Sequence, residues 1–205
     1  MKMTIVPLAL AGSLLFNATA HAQGPANASP TAVTPGAFVV EPGHTQVMFS
    51  VAHMGFTNYG GVFSKASGSL KLDPKALTAT ALDVTVPVES VSTTSAKLDE
   101  ELRGDQWLNA AKYPTMHLQS TRITRTGPST ATIAGALTLH GVTRPVTLKA
   151  RFIGAGVDPL SKAYTVGFEV SGAIKRSDFG VKTYVPLIGD DVDLKINAAF
   201  VKSPS

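Results

Sequence analysis

Hydrophobic and polar residues alternate along about eight short segments of this chain, with the two-residue period of a β-strand. The period is clearest around 46–52, because Val47, Phe49 and Val51 fall on one face of an extended segment. Two segments, 61–72 and 116–124, alternate less cleanly, and the parity slips near 65–68 as it does at a β-bulge. The other five segments carry Leu82, Val84, Val86 and Val88; Ile133, Leu137 and Leu139; Val146, Leu148 and Phe152; Tyr164, Val166, Phe168 and Val170; and Val192, Leu194, Ile196 and Phe200.

One helical stretch interrupts these strands. Within 95–109, Ser95 is a suitable N-cap, Leu98 and Leu102 recur at helical spacing, and Gly104 ends the pattern. Short turns rich in Gly, Pro and Asp separate the strands, which favours antiparallel neighbours. Such strands form a sandwich or a closed barrel, and closure removes unpaired sheet edges. The pattern predicts an all-β fold, a single eight-stranded antiparallel barrel with one helical segment flanking or capping it.

Small residues recur on the face that is predicted to point into the barrel. Gly135, Ala150, Gly172 and Ala198 each stand beside large apolar residues of the same parity. Such positions leave volume that neighbouring side chains fill or that a ligand occupies. Alternatively, they only ease the bending of strands at barrel corners. The pattern alone supports a ligand cavity and a solid core equally.

The N-terminus has the features of a secretory signal peptide. Lys2 supplies a positive charge, an apolar stretch covers 5–16, and Ala20 and Ala22 are small residues at the positions that signal peptidase reads. We predict a signal peptide over 1–22 that is cleaved after Ala22.

The remaining chain divides into a leader and one domain. Residues 23–36 are rich in Ala, Pro, Thr and Asn without periodicity, which predicts a disordered leader. The domain is predicted over 37–202. No later stretch approaches the roughly 20 apolar residues of a transmembrane helix, so we expect a soluble mature chain.

Composition narrows the possible function. Lys2 is one of 18 basic residues, so processing leaves 17 basic and 14 acidic side chains, which are scattered singly. No basic run interleaves with aromatic residues, and this argues against nucleic-acid binding. The chain has no cysteine, which excludes disulfides and thiolate metal sites.

Motifs for catalysis and metal binding are missing from the sequence. There is no nucleophile elbow, no phosphate-binding glycine loop and no His-Glu-x-x-His. His44 and His53 are nine residues apart, and His117 and His140 belong to different strands, so a shared metal is not expected. The aspartates within 190–193 lack the ligand pattern of a calcium loop. We predict no catalytic residue and no metal ligand.

Two positions have both a functional and a structural interpretation. Arg176 either meets a polar or anionic headgroup at the barrel rim, beside Phe179 at a ligand entrance, or forms a salt-bridged corner with Asp178. Trp107, the only tryptophan, either covers a cavity mouth or fixes the helix to the barrel.

Several stretches resemble, in the correct order, the motifs of one known family. The opening strand at 42–54 and the hairpin Gly-Ala-Leu-Thr-Leu-His-Gly-Val-Thr-Arg-Pro-Val at 135–146 resemble those of the YceI-like polyisoprenoid-binding family. Residues 175–180 resemble its Arg-x-Asp-Phe-Gly signature, and 189–194 its closing Gly-Asp-x-Val-x-Leu. Shorter matches are Gly-Val-Phe at 61–63, Ser-Val-Ser-Thr at 90–93, Tyr-Pro at 113–114 and Ser-Thr at 120–121.

This resemblance implies a lipocalin-like barrel whose apolar bore holds a polyisoprenoid chain, in a protein exported to the periplasm. It implies a carrier, reservoir or stress-related scavenger of an isoprenoid lipid or isoprenoid quinone, without a further cofactor. The alternative is an enzyme or redox accessory that acts on such a lipid. The resemblance is compatible with a monomer and with a homodimer.

The resemblance and the strand parity together give the residues expected to bind the lipid, with Arg176 at the headgroup. These residues are Val47, Phe49, Val51, Phe63, Leu82, Val84, Val86, Trp107, Leu137, Leu139, Val166, Phe168 and Phe179.

Overall fold

The computed structural model describes residues 24–77 and 80–203, so the predicted signal peptide over 1–22 and its cleavage site lie outside the described residues. The described residues form ten β-strands and one α-helix. The strands are β1 (Gly36–Val40), β2 (Gln46–His53), β3 (Thr57–Phe63), β4 (Ser67–Leu72), β5 (Ala81–Pro87), β6 (Thr115–Arg125), β7 (Thr130–Leu139), β8 (Val142–Val157), β9 (Tyr164–Lys175) and β10 (Ile188–Lys202), and the helix is α1 (Ala96–Arg103).

The strands form a closed antiparallel barrel. Neighbours pair in the order β1-β4-β5-β6-β7-β8-β9-β10, and β10 pairs again with β1. β2 and β3 extend the same wall, because β2 pairs with β10 beyond β1 and forms a hairpin with β3. β1 with β2, and β3 with β4, are therefore two long interrupted strands. This arrangement confirms the eight-stranded barrel that the alternation predicts.

Both interruptions have a local cause. Between β1 and β2, the Glu41 carboxylate accepts hydrogen bonds from the backbone amides of Gly43 and His44 at 3.0 and 2.8 Å, which folds this stretch into a turn. Between β3 and β4, Lys65 has a φ of 57°, which takes the chain out of the extended region. This second break is the parity slip seen in the sequence near 65–68.

Aromatic side chains fill one end of the barrel, and we call Phe38, Phe152, Tyr164, Phe168 and Phe200 the aromatic plug. The Phe168 ring lies 5.7 Å from that of Phe152 and 6.2 Å from that of Phe200, both edge to face. The rings of Phe38 and Tyr164 are 6.4 Å apart. Because aromatic edges and faces attract, these contacts close the plug end more firmly than apolar burial alone.

The segment before β1 packs on this plug end, whereas its composition predicts a disordered leader over 23–36. Asn27 and Ala155 of β8 exchange two backbone hydrogen bonds of 2.8 and 3.0 Å, and Val33 is buried. A Cβ at Gly154 would lie only 2.9 Å from the Cβ of Ala26, so glycine permits this close approach. Backbone pairing and one buried side chain hold the segment. Neither requires apolar residues at regular spacing, so the sequence pattern does not reveal this packing.

Helix α1 covers the opposite end, which we call the helix end. The Ser95 hydroxyl accepts a hydrogen bond from the backbone amide of Leu98, which confirms the predicted N-cap. Arg103, in the last turn, donates to the backbone carbonyls of Glu89 and Val91 at 3.1 and 2.8 Å. These bonds fix the helix to the segment that follows β5. With only eight residues, α1 is far too short to cross a membrane, and the described residues contain no other helix that could.

The aromatic plug predicts that alanine substitutions at two neighbouring positions, Phe38 and Val39, differ strongly in their effect on the free energy of unfolding. Phe38 is fully buried, so Phe38→Ala leaves a cavity and should lower the free energy of unfolding by about 3–5 kcal/mol. Val39 points outward and is 43% exposed, so Val39→Ala should cost less than about 1 kcal/mol. Urea unfolding of both variants measures the difference, and equal losses would contradict the plug.

Candidate binding cavity

The barrel encloses a cavity of about 310 Å³, to which all ten strands contribute wall residues. Phe168 and Phe200 of the aromatic plug line it at one end, and Leu102, Trp107 and Leu108 line it at the helix end. Pockets for small ligands typically measure about 300–1,000 Å³, so the cavity has room for a compact ligand or part of a longer one. The wall is almost entirely aliphatic and aromatic.

Most residues that the sequence analysis predicts as lipid-binding stand on this wall, in the inward parity expected of their strands. The predicted residues that line the cavity are Val47, Phe49, Val51, Phe63, Leu82, Val84, Val86, Trp107, Leu137, Leu139 and Phe168.

Two of the predicted residues stand elsewhere. Val166 has the inward parity but lies two residues nearer the plug end than Phe168, where it is fully buried in the core around Phe38. Phe179 is buried below the helix end, and its backbone carbonyl contacts Nδ1 of His140 at 3.2 Å. Parity shows which side of a strand faces inward, but not how far along the barrel the interior is filled.

Other wall residues come from outside the alternating segments. Leu102 of α1, Leu108 in the turn after it and Val181 before β10 cover the helix end of the cavity. Near the plug end, Leu77 and Thr80 reach the cavity from the connection between β4 and β5. Leu102 has a signal in the sequence, because it is four residues from Leu98 on one helix face. Leu108, Val181, Leu77 and Thr80 belong to no alternating or helical pattern, so the sequence does not mark them as wall residues.

The small inward residues divide into two kinds, which resolves the alternatives left by the sequence. A Cβ at Gly172 would lie 2.5 Å from Cδ2 of Leu148, and one at Gly135 would lie 2.7 Å from the backbone carbonyl oxygen of Gln119 and 3.2 Å from Cδ1 of Leu118. A leucine side chain fills the space at Gly172, whereas at Gly135 the backbone of β6 approaches closely and Leu118 lies beside it. Ala150 and Ala198 instead line the cavity, so these short side chains help to leave it open.

Few polar side chains reach the wall, and the structure gives each of them a partner. The Thr45 hydroxyl exchanges bonds of 3.2 and 3.1 Å with the backbone of β10, and that of Thr80 accepts a 3.4 Å bond from a turn amide. His117 points outward and contacts Asp83 at 3.0 Å. Polar groups with satisfied partners favour an apolar ligand and do not form an acid–base pair aimed into the cavity.

Arg176 is the remaining polar wall residue, and its guanidinium is engaged by the protein itself. It donates to the backbone carbonyls of Gly189, Val181 and Ile188 at 2.8, 3.2 and 2.9 Å. It also lies 5.4 Å from the centre of the Trp107 ring. Burial lowers the pKa of Arg176, although the group remains charged. Arg176 therefore ties the loop before β10 to the first residues of that strand, and its donors face these backbone carbonyls rather than a headgroup.

The salt-bridged corner also differs from its prediction. Arg176 and Asp178 are both described, yet they form no ion pair, and the acid beside Arg176 is Asp190. Asp190 accepts hydrogen bonds from the hydroxyl and backbone amide of Ser177 at 2.7 and 2.9 Å. These bonds, the hydroxyl first, lower the pKa of the Asp190 carboxyl. The turn after β9 is thus held from β10, which sequence spacing does not show.

Trp107 fulfils both roles considered for it. Its ring lines the cavity, and it also lies 6.3 Å from the ring of Tyr184 in the loop before β10. The neighbouring Gln106 carbonyl accepts a hydrogen bond from the Thr183 hydroxyl. The indole therefore covers the helix end of the cavity and joins the turn after α1 to this loop.

Comparisons with known proteins agree on one family. A family model described as the YceI-like domain matches residues 38–200. A UPF0312 protein of Pseudomonas aeruginosa strain LESB58 is 37% identical over 202 residues, which are 98% of this chain and 99% of the relative.

Solved structures show the same fold. BcnA of Burkholderia cenocepacia superposes with a TM-score of 0.71 at 24% identity, over 78% of this chain and 98% of BcnA. A polyisoprenoid-binding domain of Saccharophagus degradans, implicated in plant cell wall breakdown, gives a TM-score of 0.63 at 13% identity, over 83% of this chain and 100% of that domain.

The three carbonyl contacts of Arg176 predict that lysine cannot replace it. Arg176→Lys keeps the charge but loses the planar fork, so the free energy of unfolding should fall by roughly 2–3 kcal/mol. Arg144→Lys is the control, because Arg144 is exposed and donates to a single carbonyl, that of Asp178. Its loss should stay below about 1 kcal/mol. Urea unfolding compares the two variants. An Arg176→Lys variant with an unchanged free energy of unfolding would contradict the structural role of Arg176.

Asp190 predicts a pH dependence of stability. Its folded-state pKa is below the usual 3.8, so the carboxylate stabilises the fold fully above that pH and loses this effect as the pH falls through the folded value. The stability difference between wild type and Asp190→Ala should therefore be constant near neutral pH and shrink below 3.8. Asp193→Ala removes an exposed carboxylate from the same strand and controls for charge. Urea midpoints across this pH range test the prediction, which a pH-independent difference would contradict.

Proposed function

The chain belongs to the YceI-like family, and on that premise we propose that it is an exported binding protein that holds a polyisoprenoid chain in its barrel cavity. The observation that carries the proposal is an apolar cavity that the barrel's own side chains leave unfilled. An empty apolar space forfeits dispersion contacts, so a ligand that fills it is favoured. The polyisoprenoid-binding domain of Saccharophagus degradans, which shares this fold, supports the choice of ligand.

The energetics favour a long apolar chain. Each methylene moved from water into an apolar environment contributes roughly 0.8 kcal/mol, so one five-carbon unit contributes on the order of 4 kcal/mol before losses. Micromolar affinity corresponds to about 8 kcal/mol. A few buried units therefore suffice after the cost of ordering the chain.

The chemistry of the wall favours binding over catalysis. An enzyme or redox accessory needs polar groups that converge inside the cavity, and the wall offers only groups that the fold engages. The charged residues of the strands point outward, as for Glu169, which pairs with Arg151 on the outer surface at 2.6 Å. We therefore prefer a carrier, reservoir or scavenger to the enzyme alternative.

The proposed location is the periplasm. It rests on the charged N-terminus, the apolar stretch at 5–16 and the small residues at Ala20 and Ala22. In that compartment an isoprenoid lipid or isoprenoid quinone needs protection from water between membranes. An apolar cavity inside the barrel provides this protection.

Trp107 gives a direct test, because it is the only tryptophan and lines the cavity. Addition of a polyprenyl lipid in detergent should change its fluorescence with saturation near one lipid per chain. Ala198→Phe adds a ring inside the cavity, which displaces part of the lipid. If roughly two methylenes of the lipid are no longer buried, binding should weaken at least about tenfold.

Asn197→Phe is the matched control, because the neighbouring residue of β10 has the outward parity. It should bind as wild type does. Circular dichroism must show that both variants fold. An unchanged lipid titration for Ala198→Phe, or an equal loss for Asn197→Phe, would contradict binding inside the barrel.

A further inference from the structure

Two loops at the helix end expose large apolar side chains. Phe56, in the turn between β2 and β3, is 88% exposed, and Leu187, just before β10, is 62% exposed. Burial of large apolar groups is the general rule, so a cluster of exposed ones indicates an interaction surface. We call this cluster the apolar rim, and its members are Met54, Phe56, Tyr184, Val185 and Leu187.

The two loops form one surface. The backbone amide of Met54 donates to the carbonyl of Leu187 at 2.8 Å, and the next residue, Ile188, pairs with His53 at the start of β10. The two loops therefore lie side by side where they leave β2 and enter β10.

The apolar rim begins where the cavity wall ends. The Tyr184 ring lies 6.3 Å from that of Trp107, which lines the cavity. Val181 and Ile188, on either side of the exposed loop, also line the cavity. An apolar molecule that enters or leaves at the helix end therefore passes from cavity to rim along apolar surface.

The two loops that form the rim carry no acidic side chain, whereas α1 and the turn after it carry Asp99, Glu100, Glu101 and Asp105 at the same end of the barrel. Between Glu41 and Asp73 the sequence has no acidic residue, and 179–189 has none either. The exposed Lys182 supplies a positive charge beside Tyr184. Basic side chains next to inserted apolar and aromatic groups are typical of segments that lie in the interface of an anionic bilayer.

We propose that the apolar rim docks on the surface of an anionic phospholipid bilayer and that the cavity exchanges its lipid there. The proposal rests on the lipid-binding function proposed above, and it adds the partner and the end of the barrel that meets it. Phe56 and Leu187 insert between headgroups, Tyr184 lies at the polar boundary, and Lys182 contacts lipid phosphates.

Flotation with vesicles tests this docking, on protein purified from the envelope of cells that express the full chain. Vesicles of phosphatidylethanolamine and phosphatidylglycerol should carry the protein upward, and vesicles of phosphatidylcholine alone should carry less. Phe56→Ser with Leu187→Ser should lower the partition coefficient by roughly tenfold or more, because the double variant lacks the two large apolar side chains that would move from water into the bilayer. Leu160→Ser is the control, since Leu160 is 91% exposed in the β8–β9 turn at the plug end.

The outcomes separate docking from lipid binding. Wild type, control and rim variant should give the same Trp107 titration with polyprenyl lipid in detergent, since none of the changes touches the cavity wall. Docking is overturned if wild type does not float, or if control and rim variant lose flotation equally. It is also overturned if the rim variant floats as wild type does but loses self-association, which would make the rim an interface between copies. A failed titration in wild type would instead refute the lipid-binding function.

Discussion

The apolar interior of the barrel, which its own side chains do not fill, explains how the wall and both ends are built. Closing β1 on β10 gives the barrel a continuous wall without free edges along most of its length, and the inward parity of every strand is apolar. Such an interior normally packs to high density. Here the aromatic plug fills one end, whereas Ala150 and Ala198 help to leave space in the remainder. The wall is consequently suited to hold an apolar guest.

Polar and charged groups mainly secure the helix end. Arg176 joins the Val181 carbonyl in the loop before β10 to two carbonyls at the start of that strand, and Asp190 holds the turn after β9 through Ser177. Arg103 holds α1 in place in the same way, through two carbonyls. These bonds keep Trp107 over the cavity. The helix end is thus defined by hydrogen bonds to backbone groups, while the plug end is defined by packed rings.

Strand alternation and helix capping made most of the fold predictable from sequence, because both are local. The inward faces of β2, β5 and β7 follow from their two-residue period, and Ser95 marks the start of α1. What the pattern missed depends on contacts between distant segments. Val166 and Phe168 share a parity, but only packing against Phe38 decides that Val166 lies in the filled end.

The same limit applies to the polar groups and the leader. Arg176 and Asp178 are close in sequence and were natural partners, but Arg176 bonds to carbonyls up to thirteen residues away. The stretch before β1 packs through backbone bonds to Ala155, which composition does not reveal. Sequence therefore identified the wall of the cavity better than its two ends.

Native mass spectrometry of protein purified from the bacterial envelope would show whether the cavity holds a lipid. We expect each chain to carry close to one apolar molecule with the mass of an isoprenoid lipid or isoprenoid quinone, and we expect the emptied barrel to take it up again. A protein that arrives with only its polypeptide mass, and that takes up no prenyl lipid when one is supplied, would contradict the proposed function.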